Sequence, residues 1–372
     1  MKITKVEAIP VRTPMRVFGD AYNEYPLGQF VLVRIETDEE SLVGYGEAPC
    51  TVTVGFYGET LETSVVSIEK YLAPALIGQD PLNIRKATSI MDAAQGNAFL
   101  SKTGIDLALY DIAGKASKLP VSTILGGRQR EKIRACSEIG IEDPPTMVKE
   151  AARLVNLGFR SIKLKAGKNM RAEMEGLRKI RDSVGSDVEL RVDPNGGWSR
   201  LESIEAASTL RKCEVSYLEQ PLPGWDLEGL AMIRNQTGVP IMADESVWTP
   251  HDVARLAETK ACDIINIKIT KTGGLKHALD LYATARAHGI PCVIGTELES
   301  CVAIGAKLQI ASAFEDLPFA CEFTELAFQQ ISLKEPQLKV ENDGSIKVPS
   351  GPGLGVTPDL DAIEKGWVKN LL

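Results

Sequence analysis

From about residue 130 onward, short apolar runs alternate with stretches of helical periodicity, and this alternation constrains the fold more than any other feature of the chain. The runs are Ile133-Arg-Ala-Cys-Ser, Ser161-Ile-Lys-Leu-Lys, Val188-Glu-Leu-Arg-Val-Asp, Val215-Ser-Tyr-Leu-Glu, Ile241-Met-Ala-Asp, Asp263-Ile-Ile-Asn-Ile-Lys, Pro291-Cys-Val-Ile-Gly and Phe319-Ala-Cys-Glu-Phe. Between them, Thr146 to Leu157, Met170 to Val184, Leu201 to Cys213, Asp226 to Thr237, Pro250 to Glu258 and Gly274 to Ala287 repeat apolar residues at the spacing of one helix face. Eight β/α units over roughly 200 residues predict a parallel (β/α)8 barrel of the TIM type. A doubly wound sheet is the structural alternative, but no Gly-rich dinucleotide loop follows an early strand.

The first 125 residues have a different texture. Lys2 to Pro10 alternates, and Phe30-Val-Leu-Val-Arg-Ile-Glu-Thr and Ser41-Leu-Val-Gly-Tyr-Gly-Glu flank a polar turn, which predicts an antiparallel meander. Helical spacing follows over 60–77, 83–91 and 98–116, so residues 1–125 read as an α+β domain before a barrel over 126–325. Residues 326–372 return to hairpin chemistry around Asn342-Asp-Gly and are expected to rejoin the N-terminal domain.

Composition narrows the partners. A net charge of −8 supplies no field to hold a polyanion, so nucleic acid and acidic membranes are not expected. The seven cysteines are scattered without a Cys-x-x-Cys pair, which is neither a zinc framework nor a secreted disulfide scaffold. The opening residues alternate charged and apolar positions instead of forming the apolar stretch of a signal peptide, and no 18-residue apolar run exists, so a cytoplasmic location is expected.

The ends of barrel strands point into a shared mouth, so a charge ending an apolar run needs a reason. Five consecutive strands carry one: Lys163 and Lys165, Asp193 with Asn195, Glu219, Asp244 with Glu245, and Lys268. The steps from 193 to 219 to 244 to 268 are 26, 25 and 24 residues, one β/α unit each, so these side chains should converge at one height. Any one alone reads as a turn or cap residue, as Asp193 does in Asp-Pro-Asn-Gly-Gly. Three carboxylates in register repel one another, and a hard divalent cation relieves that. With no His or Cys among the donors, Mg²⁺ fits, with Mn²⁺ possible, and zinc or copper does not. Lys163 and Lys165, two apart on one strand, share a side, and their mutual charge is expected to lower the pKa of one toward that of a base. Lys268 lies across the barrel. A lysine on each side of a metal suits removal of the α-proton of a bound carboxylate through an enediolate.

These residues and their neighbours resemble the enolase superfamily, and within its mandelate racemase/muconate lactonizing enzyme family the muconate lactonizing enzyme subgroup. The resemblance spans the chain through Lys102-Thr-Gly-Ile-Asp-Leu-Ala-Leu-Tyr-Asp-Ile-Ala-Gly-Lys-Ala, Leu125-Gly-Gly, Lys163-Leu-Lys, Arg191-Val-Asp-Pro-Asn, Glu219-Gln-Pro, Ala243-Asp-Glu-Ser, Asn266-Ile-Lys and Gly295-Thr-Glu-Leu-Glu-Ser. It implies that Asp193, Glu219 and Asp244 bind Mg²⁺, that Lys165 and Lys268 are the acid/base pair, and that Lys163 lies against the substrate carboxylate. Asn195, Glu245 and Arg191 would support the ligands from behind. It also implies an N-terminal domain that caps the barrel, a small carboxylate as substrate, and a homo-oligomer between dimer and octamer. His251, His277 and His288 end no barrel strand, which disfavours the subgroups that use a strand-seven histidine.

Two loops of the capping domain, 17–25 and 51–59, are expected to set specificity, with Phe56 and Tyr57 touching substrate; Glu297, Glu299 and Glu322 complete the expected contacts. Cys321-Glu322-Phe partly matches the muconate pattern, whereas the Asp-x-Asp of dipeptide epimerases is absent. Glu297 stands where muconate enzymes usually have Met, and its charge would oppose a dicarboxylate. The ranking is therefore a muconate-type cycloisomerisation, then epimerisation of a dipeptide or racemisation of an N-acyl or N-succinyl amino acid, then dehydration of the o-succinylbenzoate synthase type. A catalytically inactive barrel acting as a binding module would predict a missing ligand or base, and none is missing.

Overall fold

The computed structural model describes residues 1–50, 56–328, 331–369 and 371. Three antiparallel strands open the chain: β1 (Ile3–Gly19), β2 (Glu24–Thr37) and β3 (Val43–Cys50). The first two are longer than the alternation suggests, because the hairpin continues through Phe18 paired with Tyr25 and Gly19 paired with Glu24. The expected loop at 17–25 is thus the tip of a long ribbon whose turn spans only Asp20 to Asn23. That turn is closed by the Asp20 amide donating to the Asn23 carbonyl at 2.9 Å.

The sheet packs on the helix Phe99–Ser117 so closely that glycine is required on both sides: a Cβ on Gly46 would lie 1.9 Å from the Gly104 carbonyl oxygen. The same helix pins the barrel. Asp106 accepts the Leu275 amide at 2.6 Å, at the start of the helix Leu275–Ala287, and Asp111 accepts the amides of Tyr45 and Leu354 at 3.0 Å each.

The eight expected barrel strands all form: β4 (Lys132–Ile139), β5 (Ser161–Lys165), β6 (Glu189–Asp193), β7 (Val215–Glu219), β8 (Ile241–Ala243), β9 (Ile264–Ile267), β10 (Cys292–Ile294) and β11 (Cys321–Glu322). They are parallel neighbours in chain order, and β11 returns to pair with β4, leaving a nearly closed barrel. The helices between them start where the sequence supplies caps, with reciprocal Ser199/Glu202 and Thr249/Asp252 boxes and single caps from Asp143, Asn169 and Asp226.

The C-terminal segment bonds to both the barrel and the N-terminal residues. Its hairpin strand, Ser345–Lys347, pairs antiparallel with β4 of the barrel and not with the N-terminal sheet. Its end reaches that sheet, where Trp367 bridges Val11 and the Val368 amide donates to the Pro10 carbonyl at 2.9 Å. All seven cysteines are buried free thiols, and among the described residues no helix is long and apolar enough to cross a membrane.

Candidate active site

The mouth of the barrel gathers the predicted residues on successive strands. Asp193 ends β6 and enters a tight turn in which its Oδ1 accepts the Asn195 amide at 2.9 Å; Asn195 itself adopts φ 46°. The sequence left a choice between turn residue and site residue, and the side chain is both, because Oδ2 faces Lys165 at 2.8 Å and Lys163 at 3.4 Å. Glu219 ends β7, held by Asn266 Nδ2 at 2.6 Å and Lys163 Nζ at 2.9 Å. Asp244 follows β8, where Gln220 Oε1 accepts its amide at 3.0 Å. Lys268 follows β9 and meets Asp244 at 2.9 Å. All of these groups are buried.

Burial disfavours ionisation of Glu219, and Asp193 adds repulsion, so its carboxyl rises to about 8 although Lys163 opposes the shift. Burial pushes Asp244 the same way, but Lys268 and Lys271 overcome it and hold its pKa well below the carboxylate range. The lysines depart from expectation. Burial works against each ammonium, yet Glu219, Glu322, Glu138 and Asp193 raise Lys163 well above the usual range, and Asp193 with Glu138 does the same for Lys165. Lys268 is raised likewise by Asp244 and Glu297. The mutual repulsion of Lys163 and Lys165 is outweighed because each amine lies among carboxylates.

Asp193, Glu219 and Asp244 form an all-oxygen set, buried and answered only by neighbouring lysines and an amide, and the charge on Glu219 is under strain, so donor type and charge fit a hard divalent cation. As they stand, no three acidic, His or Cys groups among the described residues converge at metal distance; the carboxylates are drawn apart onto the lysines.

The supporting residues separate by depth. Glu245 Oε1 accepts from Asn195 Nδ2 at 3.1 Å and from the Tyr22 hydroxyl at 3.2 Å, joining the metal-side turn to the hairpin tip. Arg191 sits lower in the barrel, bonded to Glu189 and the Ala320 carbonyl with its guanidinium over Tyr217, and contacts none of the three carboxylates. Glu322 accepts from Lys163 at 2.6 Å and from the Thr296 amide at 3.2 Å beneath the mouth, and Glu299 is turned away to Lys307 at 2.8 Å. Neither lines the cavity.

The cavity lies between the hairpin tip and the mouth, lined by Lys165 and Lys268 with Phe56, Glu297, Asn195, Glu138, Asp20, Tyr22 and Tyr25. Phe56 stacks on Trp248, 5.3 Å between centroids, and Lys268 Nζ stands 5.2 Å from the centre of its ring. Tyr57 packs edge-on to Phe56 and bonds Thr270 at 3.1 Å. Residues 51–55 of the second expected loop lie outside the described residues. Sequence reasoning missed Glu138, which ends β4 and meets Lys163 at 2.9 Å; its signal was the same one-unit spacing, 25 residues before Lys163, cut off when the run was read as stopping at Ser137. It also missed Lys271, bonded to Asp244, which follows Lys268 by one turn in the short helix Ile269–Thr272.

Comparison with known proteins agrees with this architecture. Residues 3–126 match the mandelate racemase / muconate lactonizing enzyme N-terminal domain, and residues 146–362 match the enolase C-terminal domain-like family. The chain is 32% identical to the N-succinyl-L-Arg/Lys racemase of Bacillus cereus over 98% of both chains. Its structure is similar to the 2-chloromuconate cycloisomerase of Rhodococcus opacus (TM-score 0.94, 33% identity, 99% and 100% covered). It is also similar to the dipeptide epimerase of Cytophaga hutchinsonii complexed with Mg and D-Ala-L-Val (TM-score 0.92, 30% identity, 98% of both chains).

Proposed function

The chain belongs to the mandelate racemase / muconate lactonizing enzyme family of the enolase superfamily and is an isomerase, and from that premise we propose that it racemises or epimerises the α-carbon of an amino-acid derivative bearing a free carboxylate. The observation that carries this reading is that Lys165 and Lys268, from β5 and the end of β9, line one cavity from opposite sides of the barrel. One amine can take the proton from one face of the α-carbon while the other returns a proton to the opposite face. Asp193, Glu219 and Asp244 would hold Mg²⁺, which when bound supplies the charge that acidifies a proton α to a carboxylate. Both lysines owe their high basicity to Asp193 and Asp244, so whatever draws charge from those carboxylates brings the amines toward the neutral form a base needs. Lys163, expected against the substrate carboxylate, is fully buried and held by Glu138, Glu219 and Glu322 without lining the cavity, so it would support the carboxylates from beneath.

Muconate cycloisomerisation, ranked first on sequence, is the second reading, supported by Cys321-Glu322 and by the likeness to the chloromuconate enzyme. It is disfavoured because Asp20 and Glu297 add negative charge to the cavity that would have to receive a dicarboxylate. Solvent-deuterium incorporation at the α-carbon, followed by NMR, decides between them. In a racemase Lys165→Ala keeps exchange with one enantiomer and Lys268→Ala with the other, and neither turns over. Exchange at the wild-type rate in both variants would remove the lysines from the mechanism.

A further inference from the structure

The lid end of the cavity holds more acid than the reaction consumes. Of its carboxylates, Glu138 is occupied by Lys163 and Lys165, and Glu297 meets Lys268 at 2.8 Å. Asp20 is different: it is buried, and among the described residues no Lys, Arg or His nitrogen comes within 4 Å of its carboxylate. Its Oδ1 accepts the amides of Tyr22 and Asn23 at 2.8 and 2.9 Å, and its Oδ2 accepts the Tyr25 hydroxyl at 3.0 Å, which leaves acceptor capacity on Oδ2. The Tyr25 phenol is raised by burial and then by the charges of Asp20 and Glu297, so both acids act on one ring from the hairpin side and the barrel side. The wall beside them is apolar, formed by Met15, Phe18 and Leu27.

A buried carboxylate without a cation carries a large desolvation cost, and an apolar sleeve that ends in two acids matches a side chain with an aliphatic stem and a charged head. Resting on the racemase or epimerase reading, we infer that the substrate's side chain ends in an alkylammonium or guanidinium, and that Asp20 and Glu297 are the residues that select it. An anionic side chain is turned away by the same pair.

The test compares α-proton exchange in D₂O, with Mg²⁺ present, for N-succinyl-L-lysine, N-succinyl-L-norleucine and the dipeptide L-alanyl-L-norleucine, which carries its only cation at the α-amine. The lysine derivative should exceed the norleucine derivative by roughly 10- to 100-fold in kcat/KM, the usual effect of a hydrogen bond to a charged group. Asp20→Asn keeps the acceptor for the Tyr22 and Asn23 amides, and should bring the lysine-to-norleucine ratio down toward one. Glu297→Met should lower the same ratio and serves if Asp20→Asn does not fold. Equal rates for the two N-succinyl compounds overturn the inference while leaving the racemase reading in place. A preference for the dipeptide that Asp20→Asn abolishes overturns the side-chain assignment. No exchange with any of the three overturns the reading on which the inference rests.

Discussion

Replacing Lys307 with Met should cost about 3–5 kcal/mol of stability, and more at high pH than at low. Lys307 is fully buried in the helix Val302–Ala313, with its ammonium 2.8 Å from Glu299 and 2.8 Å from Glu325 and 4.7 Å from the centre of the Phe323 ring. Thr296 donates its hydroxyl within the same cluster. Met keeps the stem and can pack its sulfur on Phe323, so little of the loss comes from a cavity. What is lost is the cation that sits between two buried carboxylates, and breaking a buried pair costs far more than replacing all of it. Burial raises Glu325 to about 7, against the pull of Lys307. A carboxyl raised above its unfolded value of 4.5 contributes stability that is complete below that value and is lost as pH climbs through about 7. Without Lys307 its pKa goes higher still, so the variant's penalty should be near its maximum at about pH 8 and shrink toward about pH 5.5, where the acids bind protons. Urea denaturation followed by circular dichroism at both pH values measures this. The triple variant Lys307→Met/Glu299→Gln/Glu325→Gln should recover most of the loss. A penalty under about 1 kcal/mol, or one that grows toward acid pH, would refute the argument that Lys307 compensates these two charges.

Chelation should abolish activity and added Mg²⁺ should raise the thermal midpoint, while Glu219→Gln removes activity with little loss of stability, since its charge is under strain in the fold; calorimetry with and without EDTA checks both. Tyr22→Phe loses the bond between hairpin tip and Glu245, worth about 1 kcal/mol, and should raise KM about fivefold with a smaller change in kcat. Gly46→Ala should destabilise by about 3 kcal/mol in thermal melts, because its Cβ would drive the sheet off the Gly104 carbonyl.

The barrel was legible because its strands are short, buried on both faces and bounded by turn chemistry, so each apolar run had one place to go. The charges were legible for the same reason: an ionisable residue at the end of a fully buried strand has no solvent to face, and the near-constant spacing from Asp193 to Lys268 placed four side chains at one height. What escaped was partnership. The sequence shows Lys163 and Lys165 side by side and suggests mutual repulsion, but the carboxylates that raise their pKa come from β4, β6, β7 and β11, up to 159 residues away. Arg191 shares strand parity with Asp193, yet parity fixes a side of the strand and not a depth, and Glu299 lies past the end of β10, where spacing does not say that it turns to Lys307. The hairpin tip was misread for a local reason. Residues such as Gly19 and Asp20 signal a turn, but the pairing of Phe18 with Tyr25 across it extends the ribbon to within one turn of the cavity.

That ribbon divides the labour of the molecule between two stretches of chain. Lys165 and Lys268, the proposed acid and base, are rooted in the barrel, whereas Asp20 and Tyr22 lie in the turn and Tyr25 at the start of β2, at the far end of one long pair of strands. On the proposed reading, a change of side chain at that turn would alter what is admitted while the barrel strands keep their residues. A lineage, or an engineer, could therefore exchange one clientele for another by rewriting a single short stretch, keeping the proton chemistry intact as an inherited tool.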